Sequence, residues 1–323
     1  MFFLKKKIED YPVNISTVAR MFDLKPKTLY YWYRNYLSDY QNDISTGVWL
    51  KNKIFVINKE TGEIIKEKPV YIAKPENVEE NMVLDDKKLG KEMYTILAGQ
   101  RTGKIAMMIE STKVEELKEA IKYLGESITK VKNISCDMSP SYLKFCEEIF
   151  TQSNIVIDKF HVVKQVLEAL QSVRLRIKNQ LKENLTKGKK KTIGDIRILS
   201  DLELLRNCKY LLTQSQTDWN DYQSELMQQV FERFKELETA YLLVEEFRHW
   251  YDKKNCKKHQ IAIEKDLFKW YEKVENSNIK EFKSTIKMIE KHEKEIINYF
   301  QNAITNAKAE NINGKIQRFI MNN

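Results

Sequence analysis

Apolar positions recur along this chain with two periods, and the period changes from one region to the next. Over residues 14–37, Ile15, Val18, Ala19 and Phe22, then Leu24, Leu29 and Trp32, fall at helical spacing around a break near Asp23. The pattern predicts two short helices joined by a tight turn. Ala19 is small enough for the second helix to cross closely, and Pro26 suits that helix's first turn, where a missing N–H costs nothing. Residues 46–76 instead alternate and are rich in β-branched side chains around Thr61 and Gly62, with Pro69 and Pro75 at the end. That composition predicts a small hairpin or an extended linker arm.

From residue 81 strand and helix signals take turns. A first apolar run, 81–84, ends at Asp85 and Asp86. Strands over 93–98 and 104–110, joined at Thr102-Gly103, complete an antiparallel meander. An amphipathic helix over 114–127 leads to a fourth strand, 131–136, which ends at Asp137. Ser139 and Pro140 start a helix reaching residue 150, and a fifth strand, 154–157, ends at Asp158. This is the strand and helix order of a ribonuclease H-like core. From Val162 to about Ile296 the spacing is three and four throughout, as in Val166, Leu170, Val173 and Ile177, so the region is read as all-helical, with Trp250 and Trp270 as core anchors. A basic stretch at 187–191 interrupts it and is read as a loop. The predicted organisation is α/β: a helix-turn-helix over 1–45, a hairpin or linker over 46–80, and the first part of a ribonuclease H-like core over 81–165. A helical insertion follows over 166–295, and the core's last helix occupies 296–323.

Composition narrows the partners. The chain has 323 residues, Lys+Arg 55 against Asp+Glu 46, and a net charge of +9. A basic balance favours polyanions, because neutralising phosphates with Lys and Arg drives nucleic-acid affinity. Within the predicted helix-turn-helix, Lys25, Lys27, Thr28, Tyr31 and Arg34 occupy the outward face of the second helix, where they reach phosphates or base edges; an ordinary helical hairpin carries the same pattern. Cys136, Cys146, Cys208 and Cys256 form no CxxC pair, so neither a zinc ribbon nor a disulfide framework is expected. They read as small core residues in a reducing cytoplasm. No run of eighteen apolar residues is present, and the start is the reverse of a signal peptide, so no membrane association is expected.

The chemistry rests on carboxylates at strand ends. Grouped acids raise each other's pKa unless a cation neutralises them. If the first and fourth strands are neighbours, Asp85 and Asp137 project from one sheet edge, and a third carboxylate from a late helix completes a site for two Mg2+ or Mn2+ ions, which suit oxygen ligands and phosphoryl transfer. Spacing alone leaves the alternative that Asp137 merely starts its helix.

Local text goes further. CDMSPSYLKFCEEIF followed by IVIDKFHVVKQVLEAL resembles the most recognisable block of the ISL3 group of insertion-sequence transposases: a strand, Asp-Met-Ser, a Tyr-bearing helix, a strand, then Asp-x-Phe-His. Asp137, Met138, Ser139, Tyr142, Asp158, Phe160 and His161 match it. VLDDKKLGKEMYTIL is similar to the family's Ile-Asp-Glu opening, with Asp86 in the place of Glu. YFQNAITNAKAENINGKIQRFI matches at Asn306, Glu310, Asn313 and Lys315. The resemblance covers about residues 80–318. It implies a DDE transposase that cuts and rejoins DNA at element ends, with Asp85, Asp137 and Glu310 as metal-binding carboxylates and a large helical insertion before the Glu-bearing helix. Asp158 and His161 would lie near the site without binding metal, with Asp86 also close by. Asn313 and Lys315 would meet the scissile strand's phosphates. Its partners would be the double-stranded DNA of terminal inverted repeats and of the target. Synapsis of two ends implies a homo-oligomer on DNA, and the setting would be a bacterial cytoplasm and its nucleoid. The family's Cys-rich zinc-binding segment is missing here, the chain stops at Asn323, and Ala307 and Asn311 replace two glycines. The alternative is therefore a catalytically silent DNA-binding protein derived from a truncated transposase.

Overall fold

The computed structural model describes residues 4, 8, 14–37, 52–58, 60–185, 193–302, 311–314, 316 and 317, with the side chains of 193–196 and 302 left aside. The chain forms two compact units. The first contains residues 1–158 and 304–323, and the second residues 159–303.

In the first unit, helix α1 (Ile15–Met21) is capped by Asn14, whose Oδ1 accepts from the Thr17 amide at 2.7 Å. Asp23 takes a left-handed conformation at φ 52° in the turn that follows. Helix α2 (Pro26–Trp32) begins at its proline and runs into a π-helical turn over Tyr33–Leu37. Ile8, Ile15, Val18, Ala19 and Leu29 form the small core between these helices, closed by Leu4, Leu24, Trp32 and Tyr33.

The sheet has seven strands: β1 (Lys53–Ile57), β2 (Ile64–Ala73), β3 (Asn81–Leu89), β4 (Glu92–Gly99), β5 (Ile105–Ile109), β6 (Asn133–Cys136) and β7 (Asn154–Ile157). Their order is β1-β2-β5-β4-β3-β6-β7. β3, β4 and β5 are an antiparallel meander, whereas β6 and β7 run parallel to β3. Helices α3 (Val114–Ile121) and α4 (Pro140–Ile149) supply the crossovers to β6 and β7.

Two details differ from the reading of the sequence. The hairpin at 53–73, turned at Gly62 with φ 72°, is not a separate arm. Its second strand carries on past β1 and pairs with β5 through Val70, Ile72 and Ala73, so the hairpin extends the main sheet. Asp85 and Asp86 do not end β3 either. Pairing with β4 continues to Leu89 opposite Glu92, because the turn between them is tight enough to keep the ladder closed. The strand that stops at this level is the neighbour, β6, at Cys136.

The second unit is helical. α5 (Lys159–Glu183), α6 (Ile193–Asn207), α7 (Asp221–Arg233), α8 (Lys235–Trp250) and α9 (Gln260–Ser277) are its main helices. Phe247, Trp250, Tyr251, Trp270, Tyr299 and Phe300 stack into one aromatic cluster with neighbouring centroids 4.9–5.8 Å apart. Both tryptophans anchor the core as the spacing predicts: Trp250 Nε1 donates to Ile263 O at 2.9 Å and Trp270 Nε1 to Leu243 O at 2.8 Å. Arg176 joins α5 to Glu236 and Glu281, each at 2.6 Å. No helix among the described residues is long and apolar enough to cross a membrane.

Candidate active site

Strand register decides what the site contains. β3 and β6 pair as Asn81–Asn133, Met82–Ile134 and Val83–Ser135. Carrying that register two residues further sets Asp85 opposite Asp137. In parallel strands paired residues point to the same face, so both carboxylates share a face with Val83. That face also meets Ile312 and Ile316, which with Ile105 and Met108 pack against Val83, Ile96 and Ala98. β6 and β7 pair as Asn133–Asn154 through Cys136–Ile157, and the Asp158 amide still donates to Cys136 O at 2.9 Å. Buried Asp158 therefore stands level with Asp137.

The Asp85 carboxylate is held at both oxygens. Oδ1 accepts from the Asp86 amide at 2.8 Å, and Oδ2 accepts from Asn313 Nδ2 at 2.7 Å. Asn313 also donates to the Asp86 carbonyl at 3.2 Å. These two bonds fasten residues 311–314 to β3 and set Asn313, expected near the site, beside Asp85. Asp137 Oδ1 accepts from the Ser139 amide at the start of α4. That bond lies in the turn before α4, whose N-cap is Ser139, and it orients the Asp137 carboxylate.

Asp86 points to the other face. Alternation turns it under α4, where it meets Thr95, its cross-strand partner on β4, and Tyr142. The Tyr142 hydroxyl donates to Asp86 Oδ1, and the Thr95 hydroxyl lies 3.0 Å from the same oxygen, 2.9 Å from the Tyr142 hydroxyl and 2.5 Å from Ser111 O. Burial raises the Asp86 carboxyl to about 6; the Thr95 hydrogen bond opposes that rise, and the negative charges of Asp85 and Asp137 add to it. Two adjacent acids thus occupy opposite sides of one strand, Asp85 on the side of Asn313 and half-buried Asp86 in a hydroxyl network.

The remaining expected residues divide by location. Glu310 and Lys315, with Asn306, lie outside the described residues. Among the described residues, no group of three or more His, Cys, Asp or Glu side chains is placed to hold a metal ion. Asp158 closes the first unit, while His161 belongs to α5 of the second. Lys27, Thr28 and Tyr31 lie on α2, but Lys25 sits at its cap and Arg34 in the π-helical turn. Thr28 is half-buried and the other four are exposed. Cys136, Cys146 and Cys208 are buried as expected of core thiols, and Cys256 is half-buried.

Sequence reasoning missed Thr95 and gave Tyr142 no role. It also missed three asparagines, Asn81, Asn133 and Asn154, although each stands four residues before one of the three aspartates. That repeated spacing was a legible signal.

The family profile of ISL3-group DDE transposases matches residues 82–322, and the chain belongs to that family: it is a transposase, a DNA-processing protein of insertion sequences. No curated protein and no solved structure matched the chain.

Proposed function

We propose that this transposase cleaves and joins DNA strands at insertion-sequence ends through a divalent-metal site built on Asp85, Asp137 and Glu310. What supports the reading is the β3–β6 register, which carried two residues past Val83–Ser135 brings Asp85 level with Asp137, in a sheet whose core order, β5-β4-β3-β6-β7, matches the order expected of a ribonuclease H-like core. The donor set fits Mg2+ or Mn2+. It offers carboxylate oxygens only, which suit hard cations. Two such ions, when bound, supply Lewis acidity for phosphoryl transfer.

The chain's own residues do the positioning. Asn313 and the Asp86 amide hold the Asp85 carboxylate in one orientation, and the Ser139 amide does the same for Asp137. Preset orientation matters because ligands that must reorganise lose part of their effect in the transition state. Glu310 stands three residues before Asn313 in the sequence, and family resemblance makes it the third carboxylate. In the helix-turn-helix formed by α1 and α2, Lys25, Lys27, Tyr31 and Arg34 meet double-stranded DNA. A homo-oligomer on DNA follows from the need to hold two ends.

The test uses labelled terminal inverted repeats with Mg2+ or Mn2+. Cleavage is expected in the parent and a drop of at least about a hundredfold in Asp137→Asn and Glu310→Gln, as for removal of essential transition-state electrostatics. DNA binding with no metal-dependent cleavage would establish the silent, DNA-binding alternative. Cleavage surviving in both variants would displace the site.

A further inference from the structure

Three asparagines lie side by side across the parallel part of the sheet. Asn133 Nδ2 donates to Asn81 Oδ1 at 2.8 Å, and Asn154 Nδ2 donates to Asn133 Oδ1 at 3.2 Å. They are register partners, Asn81–Asn133–Asn154, at the amino ends of β3, β6 and β7. Each strand then presents the same face at every second residue. The middle row is Val83, Ser135 and Val156, and the last is Asp85, Asp137 and Asp158. The amide row and the carboxylate row are opposite ends of one register.

That register needs a determinant. β6 and β7 are only four residues each, and all four positions of β6 are buried. A strand buried on both faces lacks the polar/apolar alternation that normally penalises a slip. A two-residue slip keeps every side chain on its face while carrying Asp137 out of line with Asp85. The amides discriminate against it. Asn133 is buried and uses both ends of its side chain, so a slipped β6 leaves a buried amide unpaired.

We propose that Asn133, with Asn81 and Asn154, is a positioning residue of the transposase site: the amide ladder selects the register that brings Asp137 beside Asp85. Asn133 acts from four residues away, through the strand, and touches neither DNA nor reacting atoms. The inference concerns the carboxylate pair of the proposed function, and its primary readout is independent of catalysis.

The experiment places cysteines at the two carboxylate positions, Asp85→Cys and Asp137→Cys, in the full chain carrying Cys256→Ser. Dibromobimane then joins the two thiols only when they are adjacent, and its fluorescence gives the rate. Efficient cross-linking is expected with the ladder intact. Asn133→Leu is expected to slow it by about tenfold, the equivalent of a lost buried hydrogen bond. Glu116→Gln, a destabilising change elsewhere in the sheet unit, should lower the melting temperature and leave the rate unchanged. Asn154→Ala removes only the 3.2 Å contact and is expected to give a smaller slowing, which keeps the test open if Asn133→Leu fails to fold. Undiminished cross-linking in a folded Asn133 or Asn154 variant overturns the proposal. So does absent cross-linking in the intact ladder, since the register itself would then be different. With native carboxylates, Asn133→Leu should also lower the cleavage rate constant without changing DNA affinity. A parent protein that cross-links normally yet shows no metal-dependent cleavage refutes the proposed function and leaves the ladder standing.

Discussion

Asp85 and Asp86 differ by one position and do opposite things, because β-strand alternation separates them by the full thickness of the sheet. Asp85 faces Asn313, and Asp86 faces Thr95 and Tyr142. Burying an acid is tolerable when hydroxyls surround it and its pKa is free to rise, and both conditions hold here. The network has a measurable worth. Tyr142→Phe keeps the ring in its buried slot and removes one hydroxyl, so it should cost about 1–2 kcal/mol of stability in urea unfolding. An unchanged unfolding midpoint would mean that Asp86 is satisfied without the phenol. Residue chemistry also explains how much could be foreseen here. A run of two acids after an apolar stretch flags a site, but which acid serves it depends on which face the neighbouring helices cover.

At the scale of elements, the β2 hairpin strand is tied to α3 by an ion pair. Lys68 Nζ donates to Glu116 Oε2 at 2.5 Å, and both side chains are largely buried. Burial alone would raise the Glu116 carboxyl. Hydrogen bonds from Lys68 and Ser111, with the charges of Lys68 and Lys113, outweigh it and hold the carboxyl below its ordinary 4.5. Ionised Glu116 therefore contributes stability that is present above pH 4.5 and is lost as pH falls through its lowered folded-state value. Glu116→Gln should cost roughly 3 kcal/mol at neutral pH, since it leaves Lys68 without its counter-charge. The gap between parent and variant should narrow as the pH drops below 4.5, as followed by thermal melts across pH 3–7. A constant gap would show that packing, not charge, holds the two elements together. The hairpin's own residues were readable as strands around Gly62, but their sheet was not. Joining β5 depends on Val70, Ile72 and Ala73 meeting a strand more than thirty residues away.

For the whole molecule, a net charge of +9 and a transposase identity make DNA affinity a salt-dependent quantity. Raising salt from about 50 to about 200 mM should weaken binding to terminal repeats at least about tenfold, through counterion release. Replacing Lys25, Lys27 and Arg34 together by Ala should flatten the log–log slope by nearly one per lost phosphate contact. A slope left at its parent value would move the DNA-binding surface away from α2.

Hydrophobic periodicity alone pointed to the helices α1 to α4, the meander, the helical character of the chain beyond Val162 and its two tryptophan anchors, because each is a local consequence of side-chain spacing. Ordered motifs such as Asp-Met-Ser with Tyr142, and Asp158 with Phe160 and His161, were specific enough to point to the family. Only the tertiary structure decided that β2 belongs to the main sheet, that Asp85 lies within its strand, and that Asp86 turns away while Asn313 turns inward. It also showed that three asparagines stand in line with three aspartates. These are facts about register and facing, set by partners far along the chain, and a one-dimensional pattern holds the spacings without saying which strands will meet.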